Sequence, residues 1–170
     1  VQIFVSGDWC RENAAENADK GIKVDNALVM GAAQRHLDHC KCDRWHFDCP
    51  RSVEQAKSVL QMFQAARFDE VVVWHIFADE SVCRQRIIDR ATRQGRADDI
   101  DVDAINRRMR TYYHPKDGIR ATVMPFFSDN CHRIVEVDAN GDLESVRDYV
   151  RMRLAPALFE PHIHRQGVLV

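Results

Sequence analysis

The sequence predicts an α/β fold with a mostly parallel sheet. Residues 71–77 (VVVWHIF) form a continuous apolar run, which is typical of a parallel strand that is buried on both faces. Segments with strand and helix character alternate along the chain, and this alternation favours a sheet with helices packed on it. The 170 residues, 45% of them apolar, are enough for one compact domain with a sizeable core.

Short strands and helices precede the long apolar run. Residues 1–6 have strand character and end at a turn, where Asp8 can cap a following helix. Apolar residues recur near a 3.6-residue period over 26–39, and Ser52 with Gln55 has the spacing of a capping box. These signals predict strands at 1–6 and 44–48, and helices at 11–20, 26–39 and 52–67.

Two helices, a strand and a final helix are predicted after the run. A polar loop at 94–100 separates the first two helices, and Pro115 and Gly118 interrupt the chain before a segment at 119–127. A turn at 139–141 follows the predicted strand. The predicted helices are 80–93, 101–113 and 143–154, the strand is 134–137, and residues 155–170 are predicted to form a tail.

Composition excludes several classes of protein. The net charge of −2 gives no general attraction to nucleic acid or to an anionic membrane, and no apolar run has the length of a membrane span. The six cysteines are scattered without a disulfide framework, so we expect reduced thiols and an intracellular protein, in the cytoplasm or the mitochondrion.

Neither a metal site nor a thiol nucleophile is predicted. Histidines and cysteines are frequent between residues 36 and 49, but their spacing does not match the paired ligands of a structural zinc site. Cys10 and Cys83 have no base partner that the sequence identifies. The residues considered as metal ligands are His36, His39, Cys40, Cys42, His46 and Cys49.

The richest segment of the sequence is a cluster of arginines. Arg86 and Arg90 lie four residues apart on a predicted helix and therefore share a face. Arg96 follows a glycine on the next loop, and Arg108 lies on the helix after it. Because guanidinium groups repel one another and match phosphate geometry, their convergence would favour a phosphate-bearing ligand.

The arginine cluster resembles the lid of short-lid adenylate kinases, a family of nucleoside monophosphate kinases. That lid contains Arg-x-x-x-Arg, then Gly-Arg-x-Asp-Asp, then a helix with paired basic residues and Thr-Tyr. The chain matches it in register except for one extra residue between Asp99 and Arg108. The resemblance implies a lid over residues 90–108 in which Arg90, Arg96 and Arg108, with Arg86 contributing, close over the transferring phosphoryl group.

A second match lies near the start of the chain. Ser6-Gly7-Asp8-Trp-Cys-Arg11 resembles the family segment Ser-Thr-Gly-Asp-Leu-Leu-Arg, whose arginine binds the phosphate of the acceptor monophosphate. The resemblance therefore implies that Ser6, Gly7 and Arg11 bind substrate, within an acceptor-binding region at 8–40. The chain is about ten residues shorter than the family after Arg11.

A third match follows the predicted strand at 44–48. Asp48-Cys-Pro-Arg51-Ser-Val-Glu-Gln55 resembles Asp-Gly-Phe-Pro-Arg-x-x-x-Gln with one residue missing. In the family the arginine grips the acceptor phosphate, the glutamine bonds adenine and the aspartate orders water around magnesium. The resemblance implies these roles for Arg51, Gln55 and Asp48, and phosphoryl transfer from ATP with Mg²⁺ to AMP.

The resemblance also implies an element that these residues do not contain. The family's phosphate-binding loop, Gly-x-x-x-x-Gly-Lys-Ser/Thr, follows a first strand in the middle of the sheet, and the 170 residues have no such motif. We therefore expect an adenylate kinase-like domain at 1–154, with a P-loop kinase-like parallel sheet that lacks its first strand. About 30–40 upstream residues, or another protein, are expected to fill the gap.

Two functions remain open from the sequence. The first is a nucleoside monophosphate kinase that uses ATP, Mg²⁺ and AMP. The second is a kinase-derived structural subunit without catalysis, in which a protein partner covers the surface left by the missing strand. The missing loop, the shortened acceptor region and the segment at 155–170 favour the second.

Overall fold

A computed structural model of the chain describes residues 2–13, 24–39, 44–48, 50–94, 97–131, 133–158 and 166–169. The strands in these ranges are β1 (Gln2–Val5), β2 (Arg44–Asp48), β3 (Glu70–Phe77), β4 (Arg133–Asp138) and β5 (Gln166–Leu169). The helices are α1 (Ser6–Asn13), α2 (Asn26–His39), α3 (Val53–Ala65), α4 (Glu80–Gln94), α5 (Ala97–Ile100), α6 (Val102–Tyr113), α7 (Ile119–Asn130) and α8 (Leu143–Leu158).

All five strands belong to one parallel sheet. Its order is β1-β2-β5-β3-β4, and every neighbouring pair runs in the same direction. Helices connect the successive strands β1 to β4, as parallel pairing requires. The predicted class, a parallel sheet flanked by helices, is therefore confirmed.

Most of the core lies on one face of the sheet. Trp45 and Phe47 of β2 and Phe63 of α3 are fully buried there. The rings of Trp45 and Phe63 meet edge to face, with their centroids 5.4 Å apart. Burial of each such side chain contributes about 1.5–3 kcal/mol. Val73 of β3 joins this cluster, together with Phe127 of α7.

The other face of β3 carries a smaller cluster. Val72 and Trp74 pack with Val137 of β4, and partly buried side chains of α8 lie against them, among them Tyr149. Neighbouring residues of β3 thus enter different clusters, because successive side chains of a strand point to opposite faces. This explains why the apolar run has no alternation.

Two element boundaries differ from the sequence prediction near the start of the chain. α1 begins at Ser6, directly after β1, whereas a turn and then a helix at 11–20 were expected. Glycine and acidic residues are tolerated in the first turn of a helix, so Gly7 and Asp8 need not form a separate turn. Residues 14–23, which include the rest of the predicted helix, lie outside the described ranges.

The predicted cap of α3 is confirmed. Ser52 has extended backbone angles, and its hydroxyl oxygen accepts a hydrogen bond from the backbone N–H of Gln55 at 3.2 Å. Farther along the chain, the predicted loop at 94–100 contains the short helix α5.

None of the described helices has the length and apolarity needed to cross a lipid bilayer.

The largest difference concerns the C-terminal residues. A tail was expected from residue 155, but α8 continues to Leu158 and residues 166–169 form β5 in the middle of the sheet. Leu169 is 1% exposed. The prediction was wrong because β5 is too short to be recognised from its own residues and forms where β2 and β3 leave a position between them.

Candidate functional site

Residues predicted to bind ligand follow the carboxyl ends of several strands. α1, which contains Arg11, follows β1, and Asp48 is the last residue of β2. α4, which carries Arg86 and Arg90, follows β3. Because the strands are parallel, these residues lie toward one edge of the sheet, the edge at which ligands bind in open α/β folds.

Two of the predicted lid arginines converge on one carboxylate. Arg90 donates from Nε to Oδ2 of Asp99 at 2.5 Å and from Nη2 to Oδ1 at 2.9 Å. Arg108 donates from Nη1 to Oδ1 of the same residue at 2.8 Å. The three residues come from α4, α5 and α6, so a single aspartate joins all three helices.

The electrostatics of this cluster favour an ionised aspartate. The Asp99 side chain is 0% exposed, whereas those of Arg90 and Arg108 are 33% and 29% exposed. Burial raises the pKa of Asp99, but the hydrogen bonds and charges of the two arginines outweigh it and lower that pKa. About a third of each arginine side chain stays exposed to solvent beside the buried carboxylate.

Arg86 contacts another part of the structure. Arg86 donates from Nη2 to the backbone carbonyl of Gly141 at 2.5 Å, in the loop between β4 and α8. It therefore contacts a different loop of the same sheet edge. Arg96 lies outside the described residues, and its role stays a prediction.

A tyrosine attaches α6 to the start of α4. The hydroxyl of Tyr113 donates to the backbone carbonyl of Ala78 at 2.7 Å and lies 3.0 Å from Sγ of Cys83. Burial, and then the neighbouring Cys83, raise the pKa of Tyr113, so the hydroxyl keeps its proton and remains a donor. This contact fixes the end of the helix that carries Arg108.

Arg51, which was predicted to bind the acceptor phosphate, lies within electrostatic reach of two elements. Burial raises the pKa of Asp48, and the charge of Arg51 acts in the opposite direction. The pKa of Cys10 on α1 is also raised by burial and opposed by Arg51. α1 contacts β2 and α2. Arg51 therefore acts on Cys10, the residue before Arg11, while the side chains of Ser6 and Arg11 lie outside the described part.

The side chain of Gln55, which was predicted to bind the base, bonds to the backbone of Arg51. Its Oε1 accepts a hydrogen bond from the backbone N–H of Arg51 at 2.6 Å, and the residue is 4% exposed. This bond ties the loop that carries Arg51 to the first turn of α3. The amide nitrogen of Gln55 is the group that could donate to a base, and that role stays a prediction.

Asp99 is the member of the cluster that the sequence did not single out as a site residue. Its position after Asp98 suggested only the start of a helix. The usable signal was the acidic pair within a strongly arginine-rich segment, because a buried arginine cluster needs a counter-ion. Its burial, however, depends on how α4, α5 and α6 pack together.

One cavity in the described part of the chain lies between α4 and α6 and does not coincide with these residues. Its volume is about 530 Å³, and it includes none of the predicted site residues. The cavity is lined by Glu80, Arg84, Asp103, Asn106, Arg107, Met109, Arg110, Tyr113, His114 and Pro115.

Among the described residues there is no group of three or more possible metal ligands. Cys40, Cys42 and Cys49, which were considered as metal ligands from the sequence, lie outside those ranges.

The chain is similar in sequence to several curated adenylate kinases. It is 31% identical over 132 residues to that of Maricaulis maris, an alignment that covers 75% of this chain and 66% of the relative. For a Synechococcus adenylate kinase the identity is 26%, with 80% and 68% covered, and for that of Nitratidesulfovibrio vulgaris it is 24%, with 91% and 84% covered. The chain thus spans about two thirds of the length of the first two relatives. No protein-family model matches it.

Proposed function

The chain belongs to the adenylate kinase family, and from this we propose that the whole protein is a nucleoside monophosphate kinase that transfers a phosphoryl group from ATP to AMP. The observation that carries the proposal is the convergence of Arg90 and Arg108 on buried Asp99, beside the carboxyl edge of a parallel sheet. The similarity to adenylate kinases supports the reaction. The exposed parts of the two arginines support contact with phosphate oxygens.

In this proposal the lid arginines stabilise charge during transfer. Phosphoryl transfer needs positioning and neutralisation of the equatorial oxygens more than it needs covalent help from the protein. Arg90 and Arg108 are held by Asp99, so their orientation is fixed before substrate binds and little reorganisation is needed. Arg96, on the loop between them in sequence, is proposed to join them, and Arg86 to contact the donor from the β4–α8 side.

The acceptor phosphate is proposed to bind Arg51 and Arg11. Arg51 follows the carboxyl end of β2, and α1 with Arg11 follows β1, so the two arginines belong to adjacent strands. The exposed Arg51 side chain can present a bidentate fork to a phosphate. The amide nitrogen of Gln55 would donate to adenine, and Ser6 and Gly7 would line the acceptor site.

Asp48 fits the role proposed for it toward the magnesium ion that accompanies ATP. Mg²⁺ prefers oxygen ligands and keeps several water molecules, which a nearby carboxylate can orient. Burial raises the pKa of Asp48, so a nearby dication would favour the ionised form that the surroundings disfavour. Asp48 would thus orient water molecules of the bound Mg²⁺. When bound, the metal ion would neutralise charge on the phosphates of ATP.

An Asp48→Asn variant should separate stability from activity. Because the folded state raises the pKa of Asp48, its ionised carboxylate lowers stability at neutral pH, and this cost disappears as the pH falls below that pKa. The amide should therefore leave the melting temperature at pH 7 equal or higher. Turnover with magnesium and ATP should fall by about 10–100-fold, as for other residues around metal ligands. A lower melting temperature with unchanged turnover would contradict the role.

An Arg51→Ala variant tests the acceptor site. Loss of a charge-assisted pair of hydrogen bonds costs about 1.5–3 kcal/mol, so AMP should bind roughly 10–100-fold more weakly in a calorimetric titration. Lys57→Ala, an exposed cation on α3, is the control and should bind AMP like wild type. Titrations with GMP, CMP and UMP test the base preference. Equal AMP affinity of Arg51→Ala and wild type would contradict the assignment.

A further inference from the structure

The cavity between α4 and α6 is separate from the proposed kinase site. It lies along α6 and beside the first two turns of α4, which contribute Glu80 and Arg84 to its lining. Its volume of about 530 Å³ is within the range of roughly 300–1,000 Å³ that is usual for small-molecule pockets. Arg108 of α6 bonds to Asp99 and does not line the cavity. The cavity therefore has the size of a ligand site that the proposed function does not use.

Arg84 joins the two helices at this cavity. Its Nε donates to Oε1 of Glu80 at 3.0 Å, and its Nη1 donates to Oδ1 of Asn106 at 2.8 Å. The guanidinium group is thus fixed by one contact from α4 and one from α6. Because the oxygen of the Asn106 amide already accepts from Arg84, the amide nitrogen remains as a donor for a ligand.

Arg110 and His114 supply two further donors at the same cavity. Arg110 is exposed, lies four residues after Asn106 on the same face of α6, and has no ion pair with another residue that the structure describes. Nδ1 of His114 accepts from the backbone N–H of Asp117 at 3.2 Å, so the neutral ring carries its proton on Nε2. The carboxylate of Asp117 lies on the Nδ1 side of the ring. Nε2 is therefore the nitrogen of His114 that can donate to a ligand.

Two carboxylates that line the cavity decide where an anion can bind. Glu80 is already paired with Arg84 at 2.9 Å. Asp103 lies two turns before Arg110, which is about 10 Å along the helix axis. Repulsion from Asp103 is therefore weakest at the end of the cavity that Arg110 and His114 form, and an anionic group is best placed there.

The cavity also has an apolar wall beside this cationic end. Met109 is 7% exposed, and the hydroxyl of Tyr113 is engaged by the backbone carbonyl of Ala78. Met109, the Tyr113 ring and Pro115 therefore offer mainly apolar surface to the cavity. An apolar wall with a few convergent donors is the usual composition of a site for an organic ligand.

We propose that the cavity between α4 and α6 binds an organic phosphate. Its phosphate group bonds to Arg110, to the amide nitrogen of Asn106 and to Nε2 of His114, and its organic part packs against Met109 and Tyr113. A phosphate group has the several acceptor oxygens that these donors require, and guanidinium groups match its geometry. The site concerns residues outside the proposed kinase machinery and stands whether or not the protein is a kinase.

An NMR titration of the full-length protein with phenyl phosphate tests the site. The backbone signals of Asn106, Arg110 and His114 should shift in a saturable manner. Inorganic phosphate should cause the same shifts at roughly tenfold higher concentration, because it buries no apolar surface. Both probes are also expected at the proposed kinase site, whose signals lie around Arg51 and Arg90, so the two sites are read separately. Shifts around Arg51 and Arg90 alone would overturn the proposal.

An Arg110→Ala variant tests the anchor of the phosphate group. The loss of its charge-assisted hydrogen bonds should weaken phenyl phosphate at the cavity by roughly 10–100-fold, while the shifts around Arg51 stay as in wild type. Arg151→Ala is the matched control, since it removes an arginine of α8 whose side chain is 67% exposed, and it should bind like wild type. Both variants should keep the wild-type melting temperature, because each replaces an exposed side chain. Equal affinity of Arg110→Ala and wild type at the cavity would contradict the proposed site.

Discussion

Replacing Arg108 by alanine should reduce kcat for ADP formation by on the order of 10³-fold, as for other arginines that stabilise phosphoryl-transfer transition states. Its guanidinium group bonds to buried Asp99, and 29% of the Arg108 side chain stays exposed, which under the proposed function allows contact with the transferring phosphoryl group. The KM for AMP should change by less than about threefold, because Arg108 acts on charge that develops after binding. Steady-state kinetics at saturating ATP give both values.

The neighbouring Arg107 provides the control for this experiment. It lies on the same helix, but its side chain is 51% exposed and pairs with Asp101 at a long distance of 3.7 Å. Arg107→Ala removes the same charge from α6 and should keep kcat within about twofold of wild type. Equal losses of kcat in both variants would show that the effect is general electrostatics, and an unchanged kcat in Arg108→Ala would contradict the proposed role.

Replacing Asp99 by asparagine should cause the largest loss of stability. The amide keeps the shape of the side chain but removes the negative charge that Arg90 and Arg108 share. Breaking a buried pair costs about 3–5 kcal/mol, which we reduce to about 2–4 kcal/mol because both arginines are about one third exposed. The melting temperature should fall by roughly 5–15 °C in thermal denaturation.

The stability of the wild-type protein and that of Asp99→Asn should depend differently on pH. The pKa of Asp99 is lower in the folded state than in the unfolded chain. Its contribution is therefore complete above the unfolded value of about 4 and is lost as the pH falls through the folded value. The gap between wild type and Asp99→Asn should shrink below about pH 4. Asp89→Asn, an exposed carboxylate on α4, should show no such gap, and a gap that persists in acid would contradict the assignment.

Much of the fold follows from short-range patterns. The apolar run at 71–77 predicts β3 because a strand that packs on both faces needs no polar side, and Ser52 predicts the start of α3 because its hydroxyl satisfies an N–H of the first turn. The spacing of Arg90 and Arg108 predicts their meeting only through the family resemblance. Nothing local in the sequence brings α4 and α6 together.

What the sequence did not reveal depends on distant contacts. β5 has four residues, and its pairing depends on β2 and β3, which are about 120 and 95 residues away in sequence. Asp99 resembles any acidic residue near a helix start until α4, α5 and α6 enclose it. The place of β5 depends on the space between β2 and β3, and the role of Asp99 depends on the arginines of α4 and α6. Neither dependence is visible in the residues next to them in the sequence.

Formation of ADP tests the central claim most directly. Full-length protein is incubated with ATP, Mg²⁺ and AMP, and nucleotides are quantified over time by chromatography. We expect two ADP molecules for each ATP consumed, no ADP without AMP, and a rate that falls in the Arg108→Ala protein but not in Arg107→Ala. ADP at the level of the blank, from folded full-length protein, would contradict the proposal that these arginines catalyse phosphoryl transfer.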